Sequence, residues 1–371
     1  MSSELLAQLP RHNLKARRAV GNIDLLRSMG PNYAWNHFAA KRRRTRLGDH
    51  NRDRVYRAIW DEAAQHIKAK VVDLGSGILE IHREGVRTRV WQQFVDLDDS
   101  VTLRVAHDKP LSLRLLAAGG LPTPAGLEYD RRNFGRAVEF LEESNLPCVV
   151  KPARGTGGGA GIVCGVTNVR DLTRATLWAS RTTPDLLIER QAVGQVYRFL
   201  FLHGKLLDVI HTGPATVTGD GRSTIYQLIA AENQRRSEAG GREGLTILSV
   251  DRDCLVTLER TERTLKTIPG PQESVIVKSA TNDSCVEDNQ TVSQAVSSAL
   301  VEQVAKAASA IGVKVAGVDV ITTDVGQSLH DTNGVVIEVN GGPALHRHYH
   351  VRDASRAQHV AIPILESLLA S

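Results

Sequence analysis

The chain has 371 residues, 42% hydrophobic and 23% charged, a balance that excludes a disordered or fibrous protein and allows two or three packed units. No stretch approaches the roughly eighteen uncharged apolar residues that cross a bilayer. The opening Met1-Ser-Ser-Glu-Leu lacks the order of a signal peptide, so a cytoplasmic protein with no membrane partner is expected. A net charge of +5 suits an anionic ligand, while an aromatic content of 4% offers no stacking platform and argues against nucleic acid.

Part of the positive surplus is local, in Lys41-Arg-Arg-Arg-Thr-Arg46. That run reads as a solvated helix face or loop, with an anion-binding or oligomer surface as the alternative. Cys148, Cys164, Cys254 and Cys285 form no Cys-x-x-Cys pair. Buried small hydrophobes are therefore expected, not a zinc site or a disulfide framework.

In chain order, residues 1–104 are polar, rich in arginine and mostly helical in period, ending in extended pieces at Ile78 to Ile81 and Val90 to Phe94. They read as a separate N-terminal domain. Within it, Val71-Val-Asp-Leu-Gly-Ser-Gly77 has the look of the strand-turn opening of an S-adenosylmethionine methyltransferase. However, a third glycine is absent at Leu79 and the strand-helix alternation such a domain needs does not follow. An amphipathic helix from His107 to Ala118 stops at Gly119-Gly-Leu-Pro-Thr-Pro124 and opens a second unit, 105–191.

In that second unit, strands at Pro147 to Lys151 and Gly161 to Val166 make a hairpin. A helix near Val169 to Ser180 and a strand at Leu186 to Glu189 follow. The third unit, 192–371, begins with a hairpin, Tyr197 to Leu202 and Lys205 to Ile210, turning at His203-Gly204. It continues with a long helix, Ser293 to Ile311, two apolar strands, Val315 to Thr322 and Val335 to Val339, and a C-terminal helix near Pro363 to Leu369.

Two constellations carry chemistry. Lys151-Pro-Ala-Arg-Gly-Thr-Gly-Gly-Gly-Ala-Gly161 places a lysine at a strand end and five glycines in the turn, where absent side chains let backbone N–H groups reach phosphate oxygens. It is neither a P-loop nor a dinucleotide fingerprint, because a strand follows it; a flexible surface hairpin is the bland alternative. The strands Gly317-Val-Asp-Val-Ile321 and Val336-Ile-Glu-Val-Asn340 carry oxygen donors at alternate positions. Paired side by side they would cluster Asp319, Glu338 and Asn340 into a set that suits magnesium, ordinary strand-end acids being the alternative.

With both constellations in hand, the chain from about Leu74 to Leu369 resembles the ATP-grasp superfamily, most closely the ATP-grasp portion of cyanophycin synthetases and bifunctional glutathione synthetases. The resemblance rests on His107-Asp-Lys109, the Lys151-Pro glycine loop, Leu187-Ile-Glu-Arg190, Tyr197-Arg198, Val217-Thr-Gly-Asp-Gly221, Ala316 to Ile321, and Ile337-Glu-Val-Asn340 with Pro343 and His348. It implies a mixed α+β and α/β protein with the ATP-grasp fold, nucleotide held between two α+β subdomains (105–191 and 192–371), and an extra N-terminal domain.

The resemblance also implies roles. Lys109 and Lys151 would hold the phosphates of ATP under the loop of Gly155, Gly157, Gly158 and Gly159, with Glu189, Arg190 and Ala192 at the adenine hinge. Asp319, Glu338 and Asn340 would hold two magnesium ions, manganese being the alternative. Arg198 would act with Lys151 in catalysis and face the acyl phosphate or the substrate carboxylate. The implied enzyme is an ADP-forming ligase joining a carboxylate to an amine, with amino acids or a short peptide as substrates and a homodimer or homotetramer left open.

The chain departs from these relatives where substrate would sit. His211-Thr212 stands where they usually carry arginine, the Ser-Thr-Gly-Gly segment appears only as Asn282-Asp-Ser-Cys285, and the Mur-ligase-like half of cyanophycin synthetase has no counterpart, which disfavours polymerisation. Arg198, His211, Ser284, His346, Arg347 and His348 are therefore the candidate substrate residues, and histidine at 211 would make an anion grip depend on pH. A small-molecule kinase, a ligase acting on a protein carrier, and a non-enzymatic ATP-binding regulator are the rival functions.

Overall fold

The computed structural model describes residue 6 and residues 13–29, 51–156, 159–239, 247–283 and 286–370. The Lys41 to Arg46 run, Gly157, Gly158, Ser284 and Cys285 lie outside the described residues. Helix α1 (Leu14–Met29) and helix α2 (51–66) precede an antiparallel meander of β1 (Lys70–Gly75), β2 (Ile78–Arg83), β3 (Val86–Trp91) and β4 (Phe94–Val95). The glycines of the Val71 to Gly77 segment turn β1 back onto β2, with Gly75 beside Ile78. The strand-turn-helix of a methyltransferase is absent there.

Two short helices follow, each started by an aspartate. Asp99 caps α3 (Ser100–Ala106), and Asp108 caps α4 (Lys109–Ala118), whose Pro110 fills a first-turn position needing no N–H. An antiparallel sheet then forms from β5 (Gly126–Tyr129), β6 (Cys148–Pro152), β7 (Val163–Val166) and β8 (Leu186–Arg190), in the order β5-β8-β6-β7. Helices α5 (Phe134–Glu143) and α6 (Val169–Ala179) pack on it.

The second large sheet has the order β13-β10-β9-β14-β15 and is antiparallel throughout. It contains β9 (Gln195–Leu202), β10 (Lys205–Thr212), β13 (Asn289–Thr291), β14 (Val315–Thr322) and β15 (Val335–Gly341). Between β10 and β13 the chain makes the small β11 (Thr216–Thr218) and β12 (Ser274–Ile276) pair with α7 (Ile225–Ala239) and α8 (Arg252–Arg260). Helices α9 (Ser298–Ile311), α10 (His346–Tyr349) and α11 (Ala361–Leu368) complete the order.

Strand alternation divides the second sheet cleanly. Phe199, Phe201, Val318 and Val320 point to one face and pack with Leu113 and Leu116 of α4 and the buried side of α9. Leu200, Leu202 and Val315 point to the other, under α2, the meander and α11.

The described part of 1–104 has no core to itself. Leu25 and Met29 of α1 join the core of the β5–β8 sheet, where Arg17 Nε also donates to the Ser180 carbonyl at 2.9 Å and Arg252 pairs with Asp24. Helix α2 and the meander join Leu200, Leu345 and Ile364. The described residues of 215–239 and 247–277 likewise pack with the β5–β8 sheet, and α4 packs with the second one. Sequence periodicity marks which side of an element is buried, not which core receives it.

Candidate active site

The register of the second sheet builds a charged row on one face. Arg198 on β9 is the direct partner of Asp319 on β14, and Asp319 of Glu338 on β15; Gly317 pairs with Asn340. Arg198 donates to both oxygens of Asp319, from Nε at 2.7 Å and Nη2 at 2.6 Å. Asn340 Nδ2 donates to Asp319 Oδ2 at 3.2 Å and to the Gly317 carbonyl at 3.3 Å, which leaves its Oδ1 as the free donor atom toward a cation. Gly317 must stay bare, since a Cβ there would sit 2.7 Å from Pro343 Cβ.

Helix α4 and the β5–β8 sheet each add a lysine. Lys109 Nζ lies 2.8 Å from Glu338 Oε1, and Lys151 Nζ lies 2.7 Å from Glu189 Oε2. Burial pushes the Glu338 carboxyl up, but Lys109, Lys151 and Arg198 together outweigh it and hold the group below the usual range. Arg198 shows the complementary balance, burial lowering and Asp319 and Glu338 raising its pKa above that of a free guanidinium. Glu338 is therefore within electrostatic reach of Lys109, Lys151 and Arg198, and Arg198 within that of Asp319 and Glu338.

Between β6 and β7 lies the glycine loop, described up to Thr156 and from Gly159 on. Gly161 adopts φ +84, a conformation that favours glycine, and a Cβ there would stand 2.8 Å from Pro152 Cγ. Gly155 and Gly159 are also at positive φ. Where the hinge is expected, Glu189 is buried with Oε1 lacking any protein partner, Arg190 is exposed at the end of β8, and Ala192 is half-buried in the link to β9.

The expected substrate residues divide. Arg347 is half-buried near Arg198; burial and Arg198 push its pKa down to about 10 against the pull of Asp319. His346 is buried, with Nδ1 3.0 Å from Tyr56 Oη, and His348 is fully enclosed, with Nδ1 2.7 Å from Asp208 Oδ2. Both imidazoles thus face inward, beneath the site. His211 pairs with Tyr197, one residue from Arg198, and so lies on the opposite face of the sheet, its Nε2 3.2 Å from Gln195 Oε1. Burial and Arg352 hold its pKa below the ordinary value despite Asp288, so it offers no cation for an anion near neutral pH.

On the face of Arg198 the sequence reading passed over Thr212, Asn289 and Thr291. They are cross-strand neighbours on β10 and β13 with buried side-chain oxygens that find no protein partner. Among the described residues no three His, Cys, Asp or Glu side chains gather to hold a metal, so a cation at this site would have to rest on Asp319 and Glu338 with the amide of Asn340.

No family model matches the sequence. Among solved structures, a bifunctional glutathione synthetase from Pasteurella multocida superposes with a TM-score of 0.53 at 21% identity, covering 82% of this chain and 42% of that one. The chain carries the ATP-grasp fold. The ATP-grasp chain also has curated relatives. The cyanophycin synthetase of Synechocystis sp. is 31% identical over 278 residues, 72% of this chain and 31% of that protein, and the one of Trichormus variabilis is 28% identical over 280 residues, 75% and 30%. The glutathione biosynthesis bifunctional protein GshAB of Streptococcus mutans is 29% identical over 328 residues, 85% of this chain and 42% of that protein. The chain thus spans about a third of the length of the cyanophycin synthetases it matches. Among the described residues no helix is long and apolar enough to cross a membrane.

Proposed function

We propose that this protein is an ATP-dependent carboxylate–amine ligase that forms an amide or peptide bond through an acyl phosphate and releases ADP and phosphate. The observation that carries the reading is the convergence of three cations from different elements, Lys109 paired with Glu338 and Lys151 and Arg198 within electrostatic reach of it, beside the Arg198–Asp319 pair. Spread negative charge in phosphoryl transfer is stabilised by such pre-aimed cations.

In this reading the unpartnered Glu189 Oε1 accepts from the exocyclic amine of adenine, and the phosphates draw Lys109 and Lys151 away from their carboxylates. The donor set of Asp319, Glu338 and Asn340 fits a hard divalent cation that keeps phosphate and water ligands, and we extend the proposal to two magnesium ions with manganese able to substitute. A bound cation there neutralises phosphate charge during transfer.

Arg198 orients the substrate carboxylate. One carboxylate oxygen attacks the γ-phosphorus, the bond to the bridging oxygen breaks, and ADP leaves. The amine then adds to the acyl carbon, loses a proton, and phosphate departs. The glycine loop keeps water from the acyl phosphate. Thr212, Asn289 and Thr291 supply polar groups for amino-acid or short-peptide substrates beside Arg198.

A screen of ADP release over pairs of amino acids and small acids, with mass detection of product, tests the proposal. The expected result is ADP release that needs both an acid and an amine. Phosphoryl transfer to a hydroxyl without phosphate release would establish a kinase instead.

A further inference from the structure

The two lysines that flank the site stand on different cores. Lys151 lies on β6 of the sheet bearing the glycine loop, whereas Lys109 opens α4, whose Leu113 and Leu116 pack against the other sheet. One side chain ties the two together. Arg154, at the base of the glycine loop, donates from Nε to Asp108 Oδ2 at 2.6 Å and from Nη2 to Glu128 Oε2 at 3.2 Å, and its Nη1 also pairs with Glu128.

The backbone converges at the same place. The Lys109 N–H donates to the Ala153 carbonyl at 3.2 Å, and Asp108 and Arg154 form an isolated antiparallel bridge. Through its other oxygen, Asp108 caps α4 by accepting from the Leu111 N–H at 3.1 Å. A single guanidinium therefore joins the loop base, β5 and the first turn of the lysine-bearing helix. Its two carboxylate partners also neutralise it, which sets it apart from the phosphate-gripping cations. Two N–H groups on the two oxygens of one carboxylate, with a third on another acid, is a planar fork that arginine provides and the compact ammonium of lysine does not.

We propose that Arg154 is a positioning residue that fixes the spacing between Lys109 and Lys151, and through it the grip on nucleotide phosphates. The inference rests on the reading of those lysines as phosphate ligands. Adenosine, which lacks phosphates, separates a positioning role from a merely structural one.

The test is calorimetric titration of the full chain with magnesium ATP and with adenosine, for the parent, Arg154→Ala, Arg154→Lys, the milder Glu128→Gln, and Lys151→Ala as control. Arg154→Ala is expected to raise the Kd for ATP about tenfold and leave that for adenosine unchanged, with Arg154→Lys and Glu128→Gln shifted less in the same sense. If Lys151→Ala weakens ATP selectively while Arg154→Ala and Glu128→Gln weaken both ligands equally or neither, the positioning role is overturned and the phosphate reading survives. If Lys151→Ala itself shows no selectivity for ATP, the phosphate reading falls and the inference with it.

Discussion

Arg198 and Asp319, direct partners on adjacent strands, are locked in a two-point bond at 2.7 and 2.6 Å, so the carboxylate expected to meet a metal is already held by a cation. A metal ion entering the site competes with that guanidinium for the same oxygens. Arg198→Ala should therefore move two measurements in opposite directions. Turnover is expected to fall by about 100-fold or more through loss of an oriented cation. Binding of manganese to the nucleotide-free protein, followed by calorimetry, is expected to tighten because Asp319 is released. Weaker manganese binding in the variant would contradict the assignment of Asp319.

Glu189 has one oxygen on Lys151 and the other buried without a protein partner, an arrangement that costs stability unless a ligand donor arrives. An adenine amine supplies that donor; the oxo group of hypoxanthine does not. The parent protein is expected to prefer ATP over inosine triphosphate by about tenfold or more, as a hydrogen bond to a charged acceptor implies. In Glu189→Ala the ratio of the two Kd values should approach one, and an unchanged ratio would remove Glu189 from the adenine hinge.

Much of this site is legible in the sequence because short-range pattern determines it. Alternation along β14 and β15 puts Asp319 with Glu338 and Asn340 on one face, and the lysine followed by glycines marks the hairpin over them. What stays hidden is set by pairing across long sequence separations. Arg154 meets Asp108 and Glu128 only because two cores come together. His346 and His348 have a metal-like or substrate-like spelling, and only the packing of α2 and β10 turns them inward to Tyr56 and Asp208. The described residues of 215–239 and 247–277 follow the same rule, since their apolar pattern does not state which sheet they cover.

His346 gives a pH dependence of stability. Burial, joined by the positive fields of Arg347 and Arg52 and by His350 and Arg198, keeps its pKa well below that of a free imidazole. Below about pH 6.5 the unfolded chain therefore binds a proton that the folded chain refuses. The stability it contributes is complete above that pH and is lost as pH falls toward the depressed folded value. Urea unfolding at pH 7 and pH 5 should show the parent losing more stability than His346→Gln over that interval. Equal losses would place the proton uptake on other groups.

Asp208 and His348 are both fully enclosed, and Asp208 also accepts from Ser293 Oγ at 2.6 Å. Removing the acid leaves a buried imidazole and the half-buried Ser293 hydroxyl without their acceptor. Asp208→Ala is expected to cost about 3–5 kcal/mol in urea unfolding. A cost below about 1 kcal/mol would contradict an enclosed structural role for the pair.

The ligase reading is tested most directly by following the carboxylate oxygen. Once the acid and amine are known, the acid is labelled with 18O in both oxygens, turned over with ATP in unlabelled water, and the released phosphate is weighed by mass spectrometry. Passage through an acyl phosphate predicts one 18O atom per phosphate released, in step with product. Phosphate carrying no label during amide formation would contradict the central claim.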